Sequence, residues 1–165
     1  MAVVTVRSTI ITNAIASPPV QNPVTQDGAR QRSAAGVATV TNGDSIASIF
    51  KLVRVPSMAR LQSLRLFNAA ITSGAGNLGL YRTDGDGAAV VSVACYASAI
   101  SIASATTTGT ELLFSARTID KLTNQVWQDA GLTADPRLFY DICLTLTAAA
   151  AATGLIALDL SYCVD

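Results

Sequence analysis

The chain has no histidine among its 165 residues. That excludes Ser-His-Asp and Cys-His nucleophile arrangements and histidine-containing zinc sites. Charge is also scarce. Asp, Glu, Lys and Arg make up 13% of the chain, against about 25% in an ordinary soluble domain. Lys51 and Lys121 are the two lysines, and Glu111 is the one glutamate. A Ser-Lys pair would need one of those lysines, and neither has a recognisable motif beside it. Paired carboxylates for glycoside hydrolysis would come mostly from aspartates, of which Asp27, Asp44, Asp84, Asp86 and Asp135 sit in turn contexts. The chain is therefore expected not to be an enzyme, and to use no metal and no cofactor.

Net charge is zero, with 11 basic and 11 acidic residues. There is no basic run of the kind that neutralises phosphates. Arg54, Arg60 and Arg65 come nearest, and apolar residues separate them, so they read as solvated strand faces and no nucleic-acid partner is expected. Mean hydropathy is nevertheless positive, at +0.43. Two uncharged stretches, Gly87–Thr110 and Ile142–Leu158, raise the question of a membrane span. Serines and threonines dilute the first, and the second is short and bordered by Asp141 and Asp159. Neither has the Lys/Arg flanks that orient a span, so no membrane partner is expected. The N-terminus lacks a basic segment followed by an apolar stretch, which points to a reducing site of synthesis. Cys95, Cys143 and Cys163 are odd in number and without C-x-x-C spacing. They read as small buried hydrophobes, with a Cys143–Cys163 bridge as the weaker alternative. A chain this apolar, this sparsely charged and without a membrane span is expected to cover its surface with other subunits.

Residues 1–33 differ from the rest. Val3, Val4, Val6, Ile10 and Ile11 are apolar and β-branched, and Pro18, Pro19 and Pro23 follow, with no backbone donor and a fixed φ. This segment reads as an extended arm that orders on a neighbour, since a purely solvated tail would not carry so many β-branched apolar groups. Residues 34–165 read as the domain proper, with a mostly two-residue period. Strands are expected at Val37–Thr41, Ile46–Val55, Leu61–Phe67, Leu78–Arg82, Ala88–Tyr96 and Glu111–Phe114. The strongest alternation runs from Leu138 to Thr147 and from Ile156 to Cys163, and these two read as a hairpin joined by the loop Ala148–Gly154. One short helix is expected after Thr118, with Ile119, Leu122, Val126 and Ala130 on its apolar stripe, a stop at Gly131 and Trp127 as a core anchor, with an interface contact as the alternative. The fold class is all-β with one short helix: an antiparallel, jelly-roll-like β-sandwich of about eight strands with an extended N-terminal arm.

Two glycine-rich stretches invite ligand readings that their contexts do not support. Asp84-Gly85-Asp86-Gly87 begins like a calcium loop, but the next acid is Glu111, too far on to close such a loop, so it reads as a turn. Gly74–Gly79 has no helix with Lys-Ser/Thr after it and reads as a connection into a strand. Phe50, Phe67, Phe114 and Tyr140 fall in apolar strand patterns. Tyr81, Tyr96 and Tyr162 fall on neither side clearly, which leaves a glycan-binding module as one alternative function.

The stretch Asp44–Val93 contains Ser-Ile-Ala-Ser-Ile-Phe-Lys-Leu-Val-Arg-Val-Pro from Ser45 to Pro56, Arg-Leu-Gln-Ser-Leu-Arg-Leu from Arg60 to Leu66, and Gly-Leu-Tyr-Arg from Gly79 to Arg82. Over about a third of the chain this resembles the head decoration, or cement, proteins of tailed bacteriophages. The resemblance implies a jelly-roll-like virion protein on the outer capsid surface that clamps adjacent major capsid subunits and forms a dimer or trimer with itself. A tail or fibre subunit is the nearest structural alternative. The residues expected to meet the partner are those of the arm: Val3, Val4, Val6, Ile10, Ile11, Pro18 and Pro19.

Overall fold

The computed structural model describes residues 6–22, 24 and 27–164. Eight strands run β1 Arg30–Val40, β2 Ile49–Pro56, β3 Arg60–Asn68, β4 Ala75–Arg82, β5 Val90–Ser101, β6 Thr106–Glu111, β7 Phe139–Ala148 and β8 Gly154–Val164. They form two four-stranded sheets, a front sheet ordered β1-β8-β3-β6 and a back sheet ordered β2-β7-β4-β5. Every strand pair is antiparallel. Only β4 and β5 are sequential strands within one sheet; every other link crosses between sheets. This is the strand order of a jelly roll, so the expected fold class is the observed one.

Alternation explains the core. Leu61, Leu64 and Leu66 of β3 and Ile156, Leu158 and Leu160 of β8 point in from the front sheet, facing Leu78 and Leu80 of β4 and Tyr140, Ile142, Leu144 and Leu146 of β7. All of these are buried, as period-two patterning requires of a two-sheet stack.

The expected β7–β8 hairpin does not form. β7 pairs with β2 and β4, whereas β8 pairs with β1 and β3. The alanine-rich loop carries the chain from one sheet to the other. Alternation states which face of a strand is buried and is silent about its lateral neighbour, so two adjacent alternating runs do not by themselves make a hairpin.

Three further expectations are corrected. The strand expected at Glu111–Phe114 lies earlier, at Thr106–Glu111, because the β-branched threonines suit a pleated edge. Leu112 and Leu113 are buried beyond its end. The expected helix splits into a 3-10 turn at Ile119–Thr123 and a single α turn, Val126–Asp129. Val126 is buried, but Ile119 is 85% exposed, and Trp127 is half-buried, its indole N–H donating to Gln125 Oε1 at 2.7 Å. Finally, the arm is not wholly extended. A six-residue helix, α1 Thr9–Ala14, forms behind Ser8, whose side chain accepts from Ile11 N. Residues 30–33, assigned to the arm by composition, pair with β8 as the first part of β1.

Candidate interaction surface

The two outer faces of the sandwich have opposite characters. On the back sheet, a bulge in β2 leaves Leu52 unpaired, so that Lys51 and Arg54 meet Cys143 and Asp141 of β7 respectively. In a regular strand residues three apart point to opposite faces; the extra residue of the bulge brings Lys51 and Arg54 to the same one. Arg54 grips the buried Asp141 with Nε at 2.6 Å and Nη2 at 3.0 Å. Lys51 Nζ lies 3.6 Å from Asp141 and 2.5 Å from Asp84 in the β4–β5 turn. That contact holds the Asp84 carboxyl below its usual range. The Asp-Gly-Asp-Gly segment is thus a turn, with Gly87 in the left-handed region, and its first carboxylate serves as an ion-pair partner.

The same face is closed further along. Tyr81 is buried, with its hydroxyl against that of Thr145. The backbone of β5 folds over Gly79 so closely that a Cβ there would lie 2.1 Å from Ser92 O. Tyr96 is buried as well, with its hydroxyl 3.4 Å from Asp129. Neither tyrosine offers the exposed platform that a glycan-binding reading needs. Cys95 and Cys143, whose thiols burial pushes up to about 12, are free, as is Cys163. Cys143 and Cys163 lie in opposite sheets, which explains why they do not bridge.

The front sheet's outer face is open. Cross-strand register builds it row by row. Thr39, Leu155 and Ala69 form one row, in which Ala69 N donates to Leu155 O at 2.8 Å. Val37, Ala157 and Phe67 form the next. Then come Ala35, Asp159, Arg65 and Glu111, followed by Ser33, Ser161 and Ser63. Val37 is 67% exposed and Leu155 55%. With Phe67, Ala69 and Ala157 they line a shallow hollow of about 420 Å³. The Phe67 ring lies over Gly109, where a Cβ would come within 2.6 Å of it. Burial pushes the neighbouring Glu111 carboxyl up, but hydrogen bonds from Ser63, Leu64 N and Leu113 N, with Arg65 nearby, outweigh it and hold the group below its usual value.

A second apolar hollow, of about 390 Å³, lies on the β6–β7 connection and is lined by Phe114, Arg117, Ile119 and Leu122. Beneath it Arg117 Nε meets Asp129 Oδ1 at 3.1 Å, with both side chains almost wholly buried. Arg117 Nη2 also donates to Lys121 O and Asn124 O. Burial pushes the Asp129 carboxyl up, against the pull of Arg117. The pair ties the connection to itself, while Val126 N and Trp127 N bind Ala59 O and Ser57 O at the β2–β3 turn. The arm joins the sandwich at this same end, since Arg30 pairs with Val164 one register position from the Cys163–Arg60 pair.

Of the residues expected to meet a partner, Val3 and Val4 lie outside the described residues. Val6 is 87% exposed and Ile11 half exposed. Ile10 is partly covered, and Pro18 and Pro19 are exposed. Sequence reasoning did not single out Val37, Leu155, Ile119 or Leu122 as surface groups. Their apolar character reads as core until the topology is known.

No protein family and no curated protein matches the sequence. One solved structure is similar in fold, a chain of the cyanophage Pam1 capsid asymmetric unit. The TM-score is 0.55 at 14% identity, over 88% of this chain and 93% of that one. The two chains are thus of similar length and share the sandwich nearly end to end. No helix among the described residues is long and apolar enough to cross a membrane.

Proposed function

We propose that this protein is a structural component of a phage virion that binds the outer surface of an assembled capsid and clamps neighbouring major capsid subunits. The observation that supports this most strongly is the jelly roll shared, over most of both chains, with a chain of the Pam1 capsid asymmetric unit. The rigid end of the sandwich agrees with it. Ile119, Leu122 and Phe114 are exposed apolar groups on a connection fixed by a buried ion pair. The arm springs from that same end.

The role is binding without turnover. A protein with affinity only for the assembled shell stabilises that shell by mass action, and several weak contacts on one molecule add up to firm attachment. The hydrogen bonds described for residues 6–28 close within that segment. A six-residue helix is marginal by itself, so Val6, Ile11 and Ile15 gain most by burial against a neighbour. That burial contributes about 25 cal/mol per Å² toward the entropy lost on ordering.

The test is co-sedimentation with purified particles. The full chain is expected to bind, and a chain lacking residues 1–28, which keeps all eight strands, is expected to bind at least about tenfold more weakly. Equal binding by both would refute the clasp. Labelling of the tail rather than the head in electron micrographs would move the protein to another part of the virion.

A further inference from the structure

We propose that the open face of the front sheet is a self-association surface, and that a second copy of this chain covers it through a two-fold axis lying in the interface plane, perpendicular to the strands. The reasoning starts from the two exposed apolar rows. Across β1, β8 and β3, one row reads Thr39, Leu155, Ala69 and the next reads Val37, Ala157, Phe67. On β8 and β3 the first row is large then small, and the second is small then large; on β1 Thr39 and Val37 are alike in size. An axis midway between them reverses strand direction and keeps each strand over its own counterpart. Leu155 then faces Ala157 of the second copy, Thr39 faces Val37, and Ala69 faces Phe67. Leu155 and Phe67 each meet an alanine, Val37 and Thr39 are alike in size, and each contact occurs twice, as an isologous interface requires. An axis parallel to the strands would instead set Leu155 against Leu155.

Charge agrees with this arrangement. The two central rows carry no ionisable group. The row beyond them holds Asp159 and Glu111 with Arg65 in register between the two acids, and the two-fold turns Asp159 toward uncharged Thr153 of the second copy, so no like charges are brought together. The area sets the strength. Three strands at about 4.8 Å spacing and four rows about 7 Å apart give roughly 400 Å² on each copy. The pair buries about 800 Å², short of the roughly 1,000 Å² of a stable specific interface, which predicts a dimer that dissociates on dilution.

The experiment is sedimentation equilibrium on the full chain, with thermal unfolding as the check on folding. The wild type is expected to pass from monomer to dimer within the micromolar range. Ala157→Leu sets two leucines against each other, and Leu155→Ala leaves a hole. Each is expected to weaken the dimer at least tenfold. The double variant Leu155→Ala, Ala157→Leu exchanges knob and notch, and is expected to recover to within about threefold of wild type. Leu155→Asp, at an exposed position where folding is not at stake, is expected to be monomeric. A monomer at millimolar concentration, a trimer, or a double variant no better than its singles overturns the proposal. So does a Leu155→Asp protein that still dimerises, or one whose defect appears only in particle binding, since the shell would then own this face.

Discussion

The outer faces of the two sheets are built from the same antiparallel pleat, yet one is closed and the other open. On the back sheet a β2 bulge gathers Lys51 and Arg54 over the buried Asp141, and Tyr81 lies along β7 to Thr145. β7 is consequently buried on both faces from Tyr140 to Leu146. On the front sheet β8 occupies the corresponding central place, but Leu155 stands in the open. The contrast teaches that a central strand is covered by what its neighbours carry: charge and a reaching aromatic beside β7, only Thr39 and Ala69 beside Leu155. A face satisfied within its own chain needs no partner. An apolar face left bare gains by finding one.

The sharpest way to break the contrast is to unlatch the back sheet. Asp141→Ala takes the buried carboxylate from Arg54 and leaves Lys51 with Asp84 alone. Arg54 is half exposed and can turn to water, so the loss is expected below the range for a fully buried pair, at about 2–3 kcal/mol. Urea unfolding measures it, and a loss under about 0.5 kcal/mol would mean the latch is already solvated.

Acid provides a smaller perturbation. Asp84 is held below its usual value by Lys51. Glu111, pushed up by burial, is held below its usual value by hydrogen bonds that outweigh it. Lowered carboxyls contribute stability that is present above their ordinary range and lost as pH falls through the lowered values. The melting temperature should therefore decline below about pH 4, and Asp84→Asn should flatten that decline by removing the back sheet's share. Asp129, raised by burial, works in the opposite sense, so an acid limb unchanged in Asp84→Asn would assign the pH dependence elsewhere.

The smallest effect is expected on the open face. Val37→Thr removes an apolar group that is two-thirds exposed, and should change the stability of the monomer by less than about 0.5 kcal/mol. A larger loss in dilute solution would show that the front face is already packed within one chain.

Much of the fold was legible before any coordinates. The alternation of Tyr140, Ile142, Leu144 and Leu146, and of Ile156, Leu158 and Leu160, placed those side chains in the core, where they are. The Asp84–Gly87 turn also stands as read, and so does the loop expected at Ala148–Gly154 apart from its two end residues, which belong to β7 and β8. The helix after Thr118 was misplaced because an apolar stripe of four residues is weak when Ile119 and Leu122 have nothing to pack against. The surfaces were less legible. Val37 and Leu155 alternate just as core residues do, and nothing local marks their side as the outer one. Lys51 and Arg54, three apart, do not share a face in a regular strand, and the Leu52 bulge that joins them has no sequence signature of its own.

Composition and period by themselves determined that this chain is a β-sandwich with few groups for chemistry, because burial demands alternation and catalysis demands ionisable residues. Tertiary structure alone decided which sheet each strand joins and which apolar residues remain outside. Those outcomes depend on lateral pairing between segments distant in sequence, and on the neighbours that pairing brings to each face.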